Sequence, residues 1–263
     1  MEAGRVGANE PVSLDDFDGT GNLVHTAWAR ELASPRADVA SWVCDLERAT
    51  ASLAALAPLL SVTEHQRAAR FGTDALRNRW MAGRATLRIL LGRRLGLAPA
   101  AVRLQRGRRG RPHVEDGQGI DFNVSHTGST SVIAIAEHLR IGVDIERIDR
   151  RLAADKLARK FLSARERQAM TDLPEDDRRR RFLRHWTCKE AMSKATGDGL
   201  IAPFARIETE LGATLEVLAG PKPYAAEDWE LVPIGDVPEH FVTLAVWHGY
   251  DDAARSASLD DAS

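Results

Sequence analysis

The stretch Ile141-Gly-Val-Asp-Ile-Glu146 sets two carboxylates two positions apart among apolar residues. On a β-strand, side chains at i and i+2 leave the same face, so Asp144 and Glu146 point the same way. Two like charges on one face repel each other and indicate a cation partner. Oxygen ligands at this spacing suit Mg²⁺, which takes one or two protein carboxylates with waters and substrate phosphates. An edge strand with a solvated polar face gives the same pattern and stays open as the alternative.

A second stretch, Trp186-Thr-Cys-Lys-Glu-Ala-Met-Ser-Lys194, fits a helix. Trp186, Glu190 and Lys194 then lie at i, i+4 and i+8, on one stripe. An ordinary surface Glu–Lys pair is the alternative, and such a pair contributes only a few tenths of a kcal/mol. The tryptophan beside the pair indicates that the stripe faces the interior or a cleft.

Two further segments have residues suited to anions. Arg103–Pro112 holds five arginines and two glycines. Glycine lets the backbone approach a ligand closely, and guanidinium groups bind phosphate bidentately. A solvated basic loop or a nucleic-acid patch is the alternative. In Phe122-Asn-Val-Ser-His-Thr-Gly128, Ser125 and His126 lie where a strand gives way to a glycine turn, which presents amides to anions. A structural histidine is the alternative there.

Patterns typical of helices recur along the chain. Capping boxes at Ser61–Glu64 and Ser163–Glu166 each predict a helix start. A long helix is predicted after each, one from about Asp74 to Leu95 that stops at Gly96, the other containing Trp186. Ser61 and Ser163 lie 102 positions apart, and Trp80 and Trp186 lie 106 apart, which predicts two similar α+β halves, with chance as the alternative. Val39–Leu59 is predicted to be helical in part, and strands are predicted at Val102–Gln105, Asp121–Val124, Ser131–Ala136, Ile207–Thr209, Trp229–Pro233 and Val242–Trp247.

Composition limits the class of protein. The 263 residues have a formal net charge of −2, yet residues 1–22 hold −4 and residues 251–263 hold −3, so the body between them is basic at +5. The near-neutral total argues against a purely electrostatic nucleic-acid binder. No stretch approaches the roughly 18 apolar residues of a membrane span, and no signal peptide is evident, so a cytoplasmic protein is expected.

Taken in order, Arg-Gly-Arg-Pro, Asn-Val-Ser-His, Gly-Val-Asp-Ile-Glu and Trp-x-x-Lys-Glu-x-x-x-Lys resemble the motifs of the Sfp-type 4′-phosphopantetheinyl transferases over about Ser61 to Leu200. The resemblance implies an α+β fold of two pseudo-twofold-related halves, each a small antiparallel sheet packed with helices, with coenzyme A in the cleft between them. The halves are expected at 23–138, which binds coenzyme A, and 139–250, which holds the metal site and catalysis. Residues 1–22 and 251–263 are expected to be mobile ends.

The resemblance also implies roles for single residues. Asp144, Glu146 and Glu190 match the three carboxylates of a Mg²⁺ site, where Mn²⁺ is also possible. Glu190 matches the base for the acceptor serine, acting directly or through a metal-bound water, and Lys194 matches the cation that stabilises phosphate charge; Asp144, Glu190 and Lys194 are the expected catalytic group. The residues that match coenzyme A contacts are Arg67 and Arg106 for the 3′-phosphate, Arg109, Gly110, Arg111 and Pro112 for the nucleotide, and Ser125, His126 and Lys194 for the diphosphate.

The implied reaction is the Mg²⁺-dependent transfer of phosphopantetheine from coenzyme A to a serine of an apo acyl or peptidyl carrier protein. Adenosine 3′,5′-bisphosphate is the expected by-product. The enzyme is expected to act as a monomer and to bind neither nucleic acids nor membranes. Fatty-acid, polyketide, nonribosomal-peptide and lysine-pathway carriers all remain open as partners. A non-catalytic carrier- or nucleotide-binding paralogue of the same fold is the alternative function. A nucleic-acid-binding protein that uses Arg103–Arg111 and the run Arg178–Arg181 is a third.

Overall fold

A computed structural model describes residues 28–33, 36–107, 109–117 and 119–250. Both expected mobile ends, residues 1–22 and 251–263, lie outside the described residues. Residues 23–27, the first positions of the expected first half, also lie outside them. By internal contacts the chain forms two compact units. Unit 1 is the chain up to Gln118 together with Val124–Ile135, and unit 2 is Gly119–Asn123 together with the chain from Ala136 onward. The division therefore interleaves, because two strands, Ile120–Thr127 and Thr130–Glu137, each have residues in both units.

Unit 1 is built around one long helix, α4 (Asp74–Leu95), which packs against three shorter ones, α1 (Leu46–Thr50), α2 (Leu53–Leu56) and α3 (Val62–Ala68). Its core contains Trp28, Leu56 and Ile89, all buried. A four-stranded sheet has the order β1–β2–β6–β5, and β3 pairs with β4 in a separate antiparallel ribbon. These strands are β1 (Ala29–Leu32), β2 (Val39–Asp45), β3 (Leu104–Arg106), β4 (Pro112–Val114), β5 (Ile120–Thr127) and β6 (Thr130–Glu137).

Unit 2 packs a long helix on a five-stranded antiparallel sheet of order β7–β11–β10–β9–β8. The helix lies against β7 and β11, and its buried apolar side chains, such as Met192, form a core with Tyr224 and Trp229. The elements are β7 (Arg140–Arg147), α5 (Ala154–Phe161), α6 (Ala164–Gln168), α7 (Glu175–Thr196), β8 (Glu208–Leu211), β9 (Leu215–Ala219), β10 (Trp229–Pro233) and β11 (His240–Trp247). The expected α+β class with antiparallel sheets and helices is confirmed.

The helix signals in the sequence are confirmed. Both capping boxes form in full, because Ser61 and Ser163 each accept from the amide three residues on while Glu64 and Glu166 reach back. The long helices α4 and α7 have 22 residues each, and both end at a glycine in the left-handed region, Gly96 with φ 67° and Gly197 with φ 81°. The left-handed cap suits glycine because it has no Cβ to clash.

The register predicted for the repeat was wrong. The helices α4 and α7 start and end 101 positions apart, close to the 102 of the capping boxes and unlike the 106 between Trp80 and Trp186. The tryptophans therefore do not occupy equivalent helical positions, and at an offset of 101 Arg88 aligns with Lys189. The pseudo-twofold relation of the halves stays a prediction.

The helical interpretation of Val39–Leu59 was correct only beyond Asp45. Val39–Asp45 alternates buried and less buried residues as strand β2, while Pro58 lies in a 3₁₀ turn that follows two short helices. The sequence interpretation also missed β1, β4 and β9, which are short strands of three to five residues with weak apolar alternation. In the part of the chain that the structure describes, no helix is both long and apolar enough to cross a membrane.

Candidate active site

The edge strand β7 brings Asp144 and Glu146 to one buried face, where they are 5% and 7% exposed. On one side the strand pairs with β11, with Asp144 opposite Thr243. On the other side, two side chains of β5 take the place of a neighbouring strand. The amide of Ile141 donates to Asp121 Oδ2 at 2.9 Å, and the amide of Val143 donates to Asn123 Oδ1 at 3.0 Å. These bonds satisfy the edge of β7 and fix its position.

Helix α7 lies directly on the same face of β7 because Gly142 has no side chain. A Cβ at Gly142 would lie 2.0 Å from the carbonyl oxygen of Ala191 and 2.6 Å from the amide nitrogen of Ala195. Any other residue there would force the helix away from the strand. The glycine of the Gly-Val-Asp-Ile-Glu motif therefore permits close packing of α7 on β7, which brings Glu190 and Lys194 near Asp144 and Glu146.

The four expected catalytic and metal-binding residues of unit 2 form one electrostatic cluster. Lys194 Nζ donates to Asp144 Oδ1 at 2.6 Å. Burial, then the charge of Asp144, raises the pKa of Glu190 to about 7; Glu146 also raises it, while Lys194 acts in the opposite direction. Burial and the charge of Asp144 likewise raise the pKa of Glu146, with Arg150 and Lys194 opposing them. Three carboxylates thus crowd one place and repel each other, and a carboxyl with a pKa near 7 is suited to accept a proton.

The fit of a divalent cation to this cluster depends on its present partners. Among the described residues, no group of three or more His, Cys, Asp or Glu side chains stands in an arrangement that holds a metal ion. Lys194 is bound to Asp144, and Arg150 is paired with Glu146. The donor set nevertheless fits Mg²⁺ in its chemistry, because it is all oxygen and its mutual repulsion raises two of the three pKa values. A cation would have to replace Lys194 and Arg150 as the partners of these carboxylates.

Unit 1 gathers a group of arginines between α3 and α4. The Arg67 guanidinium lies over the ring of Trp80, 5.4 Å from its centroid. One turn further along α4, Arg84 pairs with Glu64, and so does Arg88 through Nε at 2.8 Å. Burial, followed by the charges of Arg67 and Arg84, lowers the pKa of Arg106. Arg67, Arg84 and Arg106 therefore share one positive field, in which Glu64 is the acid that partners Arg84 and Arg88.

The basic segment after Arg103 is the turn of the β3–β4 hairpin. The amide of Gly107 donates to the carbonyl of Arg111 at 2.9 Å, and Gly110 takes a positive φ of 78° to close the turn. Arg106 Nη1 donates to the carbonyl of Gly110 at 2.7 Å, which holds the turn against β3. Arg109 is exposed and Arg111 is buried, and Pro112 begins β4, where a missing N–H is tolerated.

Ser125 and His126 lie near the end of β5, before the turn into β6. Ser125 is buried and its carbonyl accepts from the hydroxyl of Ser131 at 3.0 Å, while His126 is exposed. The sequence does not predict the structural roles of Asn123 and Gly142, although both lie inside the motifs that carry the family resemblance. It also gives no partner for Arg84, which the structure pairs with Glu64.

Family models match both parts of the chain. The model of the 4′-phosphopantetheinyl transferase superfamily matches residues 140–244, and that of the 4′-phosphopantetheinyl transferase N-terminal region matches residues 47–138. The chain is 35% identical to the 4′-phosphopantetheinyl transferase HetI of Nostoc sp., over 80% of this chain and 86% of that protein. It is 27% identical to the 4′-phosphopantetheinyl transferase psf-1 of Bacillus pumilus, over 72% and 82%. A solved holo-(acyl-carrier-protein) synthase from Bacillus anthracis, in complex with CoA (3′,5′-ADP), is 22% identical with a TM-score of 0.32, over 41% of this chain and 96% of that one.

Proposed function

This chain belongs to the 4′-phosphopantetheinyl transferase superfamily, and on that premise we propose which of its residues carry out the transfer to a carrier protein. The enzyme class is shared with its relatives. The observation that carries the proposal is the cluster of Asp144, Glu146, Glu190 and Lys194 on β7 and α7, where a carboxyl with a pKa near 7 lies beside a lysine. A non-catalytic paralogue would have no need to keep this costly crowding of charge.

The donor in this proposal is coenzyme A, and unit 1 binds its nucleotide end. Arg67 and Arg106 hold the 3′-phosphate, and their shared positive field supports this role. The hairpin turn Arg109–Pro112 lies against the nucleotide, with backbone approach allowed at Gly110. Ser125 and His126 contact the diphosphate from the end of β5.

The transfer itself is a displacement at phosphorus. The hydroxyl oxygen of the carrier serine bonds to the phosphorus that bears pantetheine, and the bond from that phosphorus to the bridging oxygen breaks. The electron pair leaves with adenosine 3′,5′-bisphosphate. Glu190 takes the proton of the serine hydroxyl, a role that its raised pKa suits near neutral pH. Lys194 offsets negative charge on the phosphate.

Asp144, Glu146 and Glu190 would together hold Mg²⁺ or Mn²⁺. When bound, such an ion offsets the charge that develops on the diphosphate. In the chain without a bound cation, Lys194 pairs with Asp144 and Arg150 pairs with Glu146, so these two side chains occupy the places that the ion would take. We further propose that the enzyme works as a monomer in the cytoplasm. The two buried free thiols, Cys44 and Cys188, support a reducing compartment.

Incubation of the purified protein with coenzyme A, Mg²⁺ and a panel of apo carriers tests the function. Each carrier is weighed by mass spectrometry, and a gain of one phosphopantetheine on at least one carrier is expected. The matched control is the same carrier with its acceptor serine changed to alanine, which should gain nothing. No gain on any carrier, with the enzyme folded and coenzyme A intact, would contradict the proposal.

A further inference from the structure

Lys189, the residue before Glu190, is fully buried and uses its ammonium group to join three parts of unit 2. Its Nζ donates to Glu166 Oε2 at 2.6 Å, to the carbonyl of Phe204 at 2.8 Å and to the carbonyl of Phe161 at 3.1 Å. An ammonium has three donors, and all three are used here. The lysine therefore fixes α7 to the end of α5, to α6 and to the 3₁₀ turn Phe204–Arg206.

The acid at the other end of this contact is also fully engaged. Glu166 Oε2 accepts from the amide of Ser163 at 2.7 Å as part of the capping box of α6. Its Oε1 accepts from the amide of Thr209 at 2.9 Å and from the hydroxyl of Thr209 at 2.7 Å, which adds strand β8 to the contact. His185 joins the same network through Nδ1, which lies 2.7 Å from the hydroxyl oxygen of Thr209, while its buried Nε2 has no hydrogen-bond partner among the described residues. The Lys189–Glu166 pair itself is fully hydrogen-bonded, and a satisfied buried pair of this kind is rigid. We call the Lys189–Glu166 pair with these acceptors the α7 clamp.

The clamp holds α7 on a different side from the contact of the helix with β7. Successive helical residues differ by about 100° around the axis, so Ala191 lies about 200° from Lys189. Ala191 is the residue whose carbonyl meets the bare Cα of Gly142 on β7. The helix is thus held from two nearly opposite sides, and Glu190 lies between them at about 100°.

We propose that Lys189 is a positioning residue for the transfer: the α7 clamp sets the rotation and height of α7 and so aims Glu190 and Lys194 at the carboxylates of β7. Lys189 touches neither substrate nor the reacting atoms in this role. The inference rests on the proposed roles of Glu190 and Lys194. It adds that the position of Glu190, the proposed base, depends on the buried Lys189–Glu166 pair, which lies on another side of α7.

Unit 1 contains an equivalent clamp that serves as a matched control. Arg88, 101 positions before Lys189, is 2% exposed and pairs through Nε with Glu64, the acid of the other capping box. Its Nη1 donates to the carbonyls of Pro99 at 3.0 Å and Val102 at 2.8 Å. On α4 the position after the clamp residue is Ile89, where α7 has Glu190. Breaking this second clamp therefore disturbs an equivalent helix that carries no member of the carboxylate cluster.

The test compares K189M with R88M, using a carrier that the wild-type protein modifies. For each variant, kcat, the KM for coenzyme A and the melting temperature are measured at a temperature where both are folded. K189M should lower kcat about tenfold or more with the KM for coenzyme A within about twofold, because misplacement by an ångström can cost about a hundredfold. R88M should raise that KM, because Glu64 would lose one of its two partners and its charge would weaken the positive field of Arg67 and Arg106, and it should leave kcat within about twofold. If both variants lose kcat in proportion to their loss of melting temperature, the clamp is only structural and the proposal is overturned.

The double variant E166Q/K189M removes both charges and keeps the test informative where K189M does not fold. A double variant that folds but keeps the low kcat supports positioning, whereas one that recovers wild-type kcat shows that only the unpaired charge mattered and overturns the proposal. If the double variant also fails to fold, E166Q alone, which keeps the shape of the pair, decides in the same way: unchanged kcat overturns the proposal and lowered kcat at unchanged KM supports it. An inactive wild type would instead count against the proposed function, so the two failures are distinguishable.

Discussion

Removing the charge of Glu190 should make the protein more stable at alkaline pH when no divalent cation is present. In the folded chain its pKa is raised from 4.5 to about 7 by burial and by Asp144 and Glu146. A carboxyl whose folded pKa is raised favours folding only while it is protonated. Below pH 4.5 the group therefore costs nothing, and the cost grows as the pH rises to about 7. E190Q removes that cost, so the variant should become progressively more stable than the wild type across this window.

The magnitude follows from the size of the shift. One pKa unit corresponds to about 1.4 kcal/mol, so the full shift sets an upper limit of about 3 kcal/mol. Because the carboxyl is only partly buried, solvent screening reduces this to about 1–2 kcal/mol. For a chain of this size about 1 kcal/mol moves the melting temperature by about 2–4 °C. The expected gap between E190Q and wild type at pH 8 is therefore a few degrees.

Thermal melts of both proteins at pH 5 and pH 8, in a chelator, measure the gap. The exposed Glu227 supplies the matched control, since E227Q changes the same group outside the cluster and should open no pH-dependent gap. Added Mg²⁺ should stabilise the wild type more than E190Q and narrow the gap at pH 8. A gap of the same size at pH 5 and pH 8 would refute the reasoning about mutual repulsion.

Three other predictions concern turnover and packing. E190Q should bind coenzyme A with an unchanged Kd by calorimetry but lose about 10²–10⁴-fold in kcat, as expected for a lost general base; unchanged turnover would remove Glu190 from that role. R67A and R106A should each weaken binding of coenzyme A about tenfold and leave binding of 3′-dephospho-coenzyme A nearly unchanged, and equal losses for both ligands would place the 3′-phosphate elsewhere. G142A should lower the free energy of unfolding by about 1–3 kcal/mol and reduce kcat, because its Cβ would meet the backbone of Ala191; a denaturant titration that matches wild type would contradict the close packing.

Local signals in the sequence were strong enough to predict the helices and the strand that carries the acids. Each helix start is predicted by a capping box of four residues, Ser61–Glu64 or Ser163–Glu166, and the end of α4 is predicted by Gly96. These helix ends can therefore be predicted without knowledge of the tertiary structure. The spacing of Asp144 and Glu146 likewise fixes their common face. The strands β1, β4 and β9 could not be predicted, because each is short and owes its form to the neighbour with which it pairs.

The hydrogen-bond and ion-pair partners of the site residues could not be predicted from the sequence. Nothing in the local pattern around Asn123 says that its amide oxygen serves the edge of β7 twenty positions later. The pairing of Lys194 with Asp144 and of Arg150 with Glu146 depends on how α7 and the end of β7 are placed in space. The 106-residue offset between Trp80 and Trp186 was wrong for a related reason. The ends of α4 and α7, 101 positions apart, and the capping-box acids Glu64 and Glu166, 102 apart, give the offset better than the tryptophans do.

The two 22-residue helices bear on how this protein can change over evolution. At the position where α7 has Glu190, α4 has Ile89, which is fully buried in the core of unit 1. A carboxylate introduced there would be enclosed by apolar side chains, so α4 could not hold a charged residue at this position without a large desolvation cost. On the proposed roles, substitutions in unit 1 can change how the donor is bound while turnover survives, whereas substitutions around α7 put the reaction itself at risk.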